Sequence, residues 1–130
     1  MTAFLDANIV VRHLTGDPAD QARRSTALFA SADRLLLGDL IVAETVYVLE
    51  SVYKLSPPAV ALRVRSLLAL PSVRVLHRRA LERALDLYEL DRLDFPEAYL
   101  VALAEASAVE EIVSFDRALD RVGTVRRVEP

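Results

Sequence analysis

Cysteine is absent from this sequence. Its absence excludes disulfides, thiolate metal sites and a cysteine nucleophile, and such a chain is comfortable in a reducing compartment. Glycine is scarce, with three residues in all, and none of them belongs to a phosphate-cradling loop or a dinucleotide fingerprint. Lysine is reduced to Lys54, so the basic side chains are otherwise arginines; codons rich in G and C would also favour that bias. His13 and His77 are isolated, without a His or Cys at a metal-ligand spacing, and no serine stands in a nucleophile-elbow context. No apolar run is long enough to span a bilayer, and the opening residues lack a basic segment followed by an apolar stretch. We therefore expect a cytoplasmic protein that makes no use of a membrane. A net charge of -3 argues against holding nucleic acid by bulk positive charge.

What is present is a good core. The 130 residues are 53% hydrophobic and 27% charged, which excludes disorder and fits one domain over 1–130. Short β-like runs alternate with helical patterns. Ala3 to Leu5, Arg34 to Leu37, Val73 to Leu76 and Ile112 to Phe115 read as strands, with Thr124 to Val128 as a last edge strand. Helices are expected over 7–14, 18–32 (Asp17 as cap), 39–54 (Asp39 as cap), 56–70, 78–89 and 96–108, with a short one near 117–119. Such alternation predicts an α/β fold: three layers, α/β/α, around a short, mostly parallel central sheet.

In such a sheet the strands end on one edge, where ligands bind. Asp6 follows the first strand and Asp116 the fourth, so two acids from opposite ends of the chain are expected at one rim. Each alone reads as a helix cap; together they favour a site. Glu44 lies mid-helix, one turn from Leu40 and from Val48, on a stripe expected to face the core, where a carboxylate needs a partner or a metal. Asp94 and Glu97 open a helix in capping-box spacing. Glu97 shares a face with Leu100, Val101 and Ala104, which favours the site reading for it, while Asp94 reads as the cap. Four carboxylates in one pocket repel, each pair by roughly 3 kcal/mol at ~5 Å and an effective dielectric of ~20. A hard divalent cation, Mg²⁺ or Mn²⁺, relieves this and supports phosphoryl chemistry.

The segments Phe4-Leu5-Asp6-Ala7-Asn8, Ala43-Glu44-Thr45, Leu93-Asp94-Phe95-Pro96-Glu97-Ala98-Tyr99 and Ile112-Val113-Ser114-Phe115-Asp116-Arg117 resemble, in order and approximate spacing, the motifs of the PIN-domain family, in particular the VapC-type toxin ribonucleases of VapBC toxin–antitoxin systems. The resemblance implies a Mg²⁺- or Mn²⁺-dependent endoribonuclease, usually a homodimer, inhibited by a VapB-type antitoxin and acting on RNA. It implies catalytic roles for Asp6, Glu44, Glu97 and Asp116. Of these, Asp6, Glu97 and Asp116 would hold metal and Glu44 would position metal or the attacking water. Asn8 and Ser114 would orient the ligands. The family usually has Asp where this chain has Glu97, so Asp94 stays open as the third acid. Arg12, Arg23, Arg24, Arg78 and Arg79 are within the class of residues that grip phosphate, though scattered arginines more often form a solvated face. The alternative to a nuclease is a catalytically weakened PIN-like protein-interaction module.

Overall fold

A computed structural model describes residues 1–130 as two units, Met1–Leu76 and His77–Pro130. In the first, three short strands pair in parallel in the order β1 (Thr2–Phe4), β2 (Arg34–Leu36), β3 (Val73–Arg74). Ala3 lies opposite Leu35, and Leu35 opposite Val73. Their carboxyl ends share one edge, where Leu5 N–H donates to the Leu36 carbonyl at 2.9 Å. The chain then turns into helices: α1 (Ala7–Thr15) and α2 (Ala19–Ser31) after β1, α3 (Asp39–Ser51) and α4 (Pro57–Leu68) after β2.

The helix ends follow local chemistry. Asp6 Oδ1 accepts from the Ala7 N–H at 2.7 Å and opens α1; Gly16, at φ 73, closes it in the left-handed conformation that glycine tolerates best. Ser56 caps α4, whose first positions are prolines. Two expected caps are corrected. Pro18 and not Asp17 precedes α2, and Asp17 instead accepts from the Tyr53 hydroxyl at 2.9 Å. Gly38 precedes α3, with Asp39 already inside it. Strand β3 is also shorter than expected, ending at Arg74.

α1 packs on α2 and on α3, and α3 on α4. The face of α3 that enters the core carries Val42, Thr45, Val46 and Leu49, whereas Leu40 is 80% exposed and Val52 66%. The stripe through Leu40, Glu44 and Val48 therefore looks outward, and Glu44 is exposed. This overturns the reading of Glu44 as a carboxylate on a core-facing stripe.

In the second unit α5 (Arg78–Leu90) packs against α6 (Phe95–Ala106), and β4 (Glu111–Val113) pairs in parallel with β5 (Arg126–Val128) across a short 3-10 helix, Arg117–Arg121. Strands expected in one sheet are thus divided between a three-stranded and a two-stranded parallel sheet. Leu81, Leu85, Leu87, Leu93, Ala98 and Val101 supply much of its core. No helix is long and apolar enough to cross a membrane.

Leu35 is fully buried between its two partner strands. Leu35→Ala should cost about 3 kcal/mol through lost burial and a residual cavity. Chemical denaturation checks this, and a loss well under 1 kcal/mol would mean that the sheet centre collapses around the gap.

Candidate active site

Three acids of the second unit are brought together by two loops. The loop after α5 contains Arg92, at φ 57, whose carbonyl accepts from Arg121 Nη1 at 3.0 Å. That bond ties the 3-10 helix to the segment leading into Asp94. Asp94 Oδ1 accepts from the Glu97 N–H at 2.9 Å and opens α6 as expected. Asp116 Oδ1 accepts from the Ala118 N–H at 2.9 Å and opens the 3-10 helix.

The capping box is only half formed. Asp94 caps the backbone of Glu97, but the Glu97 side chain hydrogen-bonds to the carboxyl groups of Asp116 and Asp94 instead of returning to the backbone. Two carboxylates cannot share a hydrogen bond unless one is protonated. Partial burial, with the hydrogen bond to Asp116 and the negative charge of Asp94, pushes the Glu97 carboxyl up to about 8. Asp116 moves the other way. The hydrogen bond from Glu97, the Ala118 N–H and the nearby Arg121 and Arg127 guanidinium groups hold it below its ordinary value. Near neutral pH the pair holds one proton, on Glu97.

Ser114 Oγ accepts from the Asp116 N–H at 2.9 Å. Arg127 is a supporting residue that the sequence reading missed. It donates to both oxygens of Asp120 (3.0 and 3.2 Å), to Glu129 (2.6 Å) and to the Ser114 carbonyl (3.2 Å). One guanidinium thereby fixes both flanks of Asp116. Its position among four arginines of the last segment, 117 to 127, gave no sign of this. A second bidentate pair, Arg83 to Glu105 (2.8 and 3.1 Å), joins α5 to α6, with Thr124 donating to the same glutamate.

Asp6 and Glu44 belong to the first unit. Asp6 stands at the carboxyl edge of the three-stranded sheet, as expected, exposed and with its Oδ1 spent on the cap. Glu44 makes no side-chain hydrogen bond or ion pair. Asn8 makes none either; it lines a groove between α1 and α2 and does not orient Asp6.

The donor set for a metal is all carboxylate oxygen, which suits hard Mg²⁺ or Mn²⁺ and not a thiolate- or imidazole-seeking ion. No three or more His, Cys, Asp or Glu side chains are arranged to hold an ion by themselves. Mg²⁺ is commonly held through one or two carboxylates with its waters retained.

The Glu97 proton has a consequence for stability. Its folded value lies above the unfolded 4.5, so its contribution is complete below about pH 4.5 and is lost as pH rises through about 8. Asp116, lowered from 3.8, contributes above that value and is lost on acidification. In chelator, the melting temperature should decline between pH 5 and pH 8.5, and the decline should be largely removed in Glu97→Gln. Parallel profiles for the two proteins would show that Glu97 is ionised throughout. Arg127→Ala should lower stability by loosening the segment between Ser114 and Asp120, measured by denaturation, with Arg127→Lys recovering only part.

Solved structures similar to this chain include toxin–antitoxin proteins. VapC20 of Mycobacterium tuberculosis, a toxin that cleaves the sarcin–ricin loop, is 17% identical over 94% of this chain and 95% of its own, with a TM-score of 0.44. VapBC2 from Rickettsia felis, bound to a DNA fragment from its promoter, gives 15% identity over 99% and 98%, TM-score 0.40. A toxin–antitoxin complex from Klebsiella pneumoniae gives 18% over 97% and 96%, TM-score 0.35. No curated protein matches the chain. The PIN domain family model matches residues 3–125, a span that includes Asp6, Glu44, Asp94, Glu97 and Asp116, and the chain belongs to the PIN domain family.

Proposed function

We propose that this protein is a Mg²⁺- or Mn²⁺-dependent endoribonuclease, the toxin of a type II toxin–antitoxin pair, with residues 1–130 acting as one functional domain. The observation that carries the reading is Glu97, a carboxyl kept protonated by burial and by two neighbouring acids, in a chain whose acids follow the PIN order. A cluster in that state is poised to exchange its proton for a cation.

Glu97 and Asp116 would hold the ion, with Asp94 placed to assist. Asp6 is assigned as a further ligand, and Glu44 as the residue that orients the attacking water. These last two assignments rest on the family's order of acids along the chain. A divalent ion bound there would acidify water and offset charge on the phosphate. Asp94 and Asp116 each give one oxygen to the backbone, and their carboxyl groups also meet the Glu97 side chain. Ser114 and Arg127 hold the Asp116 loop still. In the reaction a water oxygen bonds to phosphorus as a ribose oxygen leaves, and RNA phosphodiesters are the substrate class. A homodimer, a VapB-type antitoxin covering the acidic pocket and a cytoplasmic setting complete the reading.

The protonated state of Glu97 also suits the other reading, a PIN-like interaction module without catalysis, and experiment separates the two. RNA ends are sequenced after incubation with wild type and Asp6→Asn, with and without Mn²⁺. Wild type should generate new ends only with metal. Asp6→Asn, which keeps the cap because Asn caps as well as Asp, should fall by at least about 100-fold, the loss expected when a metal ligand or its support is removed. Equal cleavage by both proteins would remove Asp6 from the site, and no cleavage by wild type would favour the module. Glu97→Gln should also be inactive. Asp94→Ala should lose about 1 kcal/mol of helix capping, and Asp94→Asn should retain it; if Asp94→Asn alone is inactive, Asp94 and not Glu97 is the third acid.

A further inference from the structure

A groove of about 510 Å³ runs between α1 and α2, lined by Asn8, Ile9, Arg12, Gln21, Arg24 and Ser25, with Leu28 at its side. No carboxylate lines it. Arg12 is half-buried, and its one side-chain partner is neutral: Nε donates to Gln21 Oε1. Its charge is therefore uncompensated within the chain, and its terminal nitrogens keep their donors. Arg24 reaches Asp20 only at 3.8 Å, in an exposed pair that Asp20 shares with Arg23, an arrangement that neutralises little. Gln21 has spent its carbonyl on Arg12, so its amide nitrogen remains a donor. Ser25 is 4% exposed, yet its hydroxyl has no hydrogen-bond partner in the chain, and it faces this groove. That hydroxyl is a donor open to an occupant of the groove.

We propose that this groove is a phosphodiester subsite, in which the Arg12 and Arg24 guanidinium groups hold a backbone phosphate of RNA and Ser25, Asn8 and Gln21 donate neutral hydrogen bonds to it. The proposal rests on the nuclease reading and extends it to how the substrate strand is gripped. The lining chooses the occupant. A docked protein segment would bury apolar side chains at the centre of its contact, but Ile9 and Leu28 are the only apolar residues here. A phosphate, with acceptor oxygens pointing several ways, uses a fork and several neutral donors together. Arg12 lies six residues beyond Asp6 on α1, about 9 Å along the helix at 1.5 Å per residue. A strand held here runs on toward the acid that opens the same helix.

The test is binding of a fluorescein-labelled single-stranded RNA by the intact chain in EDTA, titrated with salt, alongside cleavage kinetics with Mn²⁺. Arg12→Ala should bind about tenfold more weakly and reduce the salt slope by roughly 1, as expected for one lost phosphate contact. Its KM should rise with kcat largely retained. Arg24→Ala, at an exposed position with no risk to folding, should act in the same direction. Ser25→Ala should weaken binding by a small factor without changing the slope, and Arg34→Ala, at the amino end of β2, should match wild type. Wild-type slope and KM in both Arg12→Ala and Arg24→Ala would overturn the subsite while leaving the nuclease reading intact. Loss of binding to an acidic protein partner with RNA binding unchanged would overturn it in favour of a protein-docking groove. Absence of RNA binding and cleavage in wild type would end both proposals.

Discussion

An aspartate that opens a helix gives one oxygen to a backbone N–H that would otherwise have no partner and keeps the other. Asp6, Asp94 and Asp116 all do this through Oδ1. At the two α-helices among them the macrodipole also favours negative charge. The cap fixes where the carboxylate sits to within a hydrogen-bond length. The same contact that starts the element therefore aims the free oxygen, and a site built on caps needs few further supports. Choosing between cap and ligand for these residues poses a false alternative, since one carboxylate can serve as both.

Glu97 is the acid excluded from this arrangement. Its backbone N–H is capped by Asp94, while its side chain receives no backbone donor and lies against two other carboxyl groups. Its carboxyl, held in a partly buried place without a compensating donor, is pushed up. Glutamate, with one methylene more than the aspartate usual in the family, reaches Asp116 across the loop pair. The departure from the family pattern is therefore tied to a definite structural effect: a shared proton between α6 and the segment after β4.

The acids were legible in the sequence where their placement is local. Asp6 and Asp116 end strand runs and begin helices, and Asp94 stands two residues before a proline at the head of α6, so residue type and spacing suffice. Glu44 was misread because α3 is apolar nearly all round. Leu40, Ile41, Val42, Val46, Val48, Leu49 and Val52 cover several faces, and periodicity cannot choose among them; packing against α1 and α4 selects Val42, Val46 and Leu49. Asp17 was misread for a related reason, since its partner, the Tyr53 hydroxyl, is 36 residues away. Arg127 and Ser25 were invisible because their importance comes from what they face, and no local pattern marks that. The expected α/β class with parallel strands holds, while which strands pair was out of reach on the same ground: pairing over long separations is a tertiary choice that alternation alone does not determine.

Net charge is a poor guide to whether such a chain can bind a polyanion. The value of -3 sums charges that do not act together. Asp120 and Glu105 are each gripped by a bidentate arginine, and Glu111 pairs with Arg126 at 2.8 Å across β4 and β5, so their fields are largely cancelled at a distance. Arg12 is held by a neutral amide and keeps its full charge. With a screening length of about 8 Å at physiological ionic strength, an RNA phosphate responds to the groups within that radius and not to the total. A protein that must gather acids for metal while admitting a polyanion needs some of its cations left uncompensated. On the proposed reading, neutral Gln21 is what makes Arg12 usable: a glutamate in its place would fix the guanidinium equally well and take away the charge that the substrate is to meet.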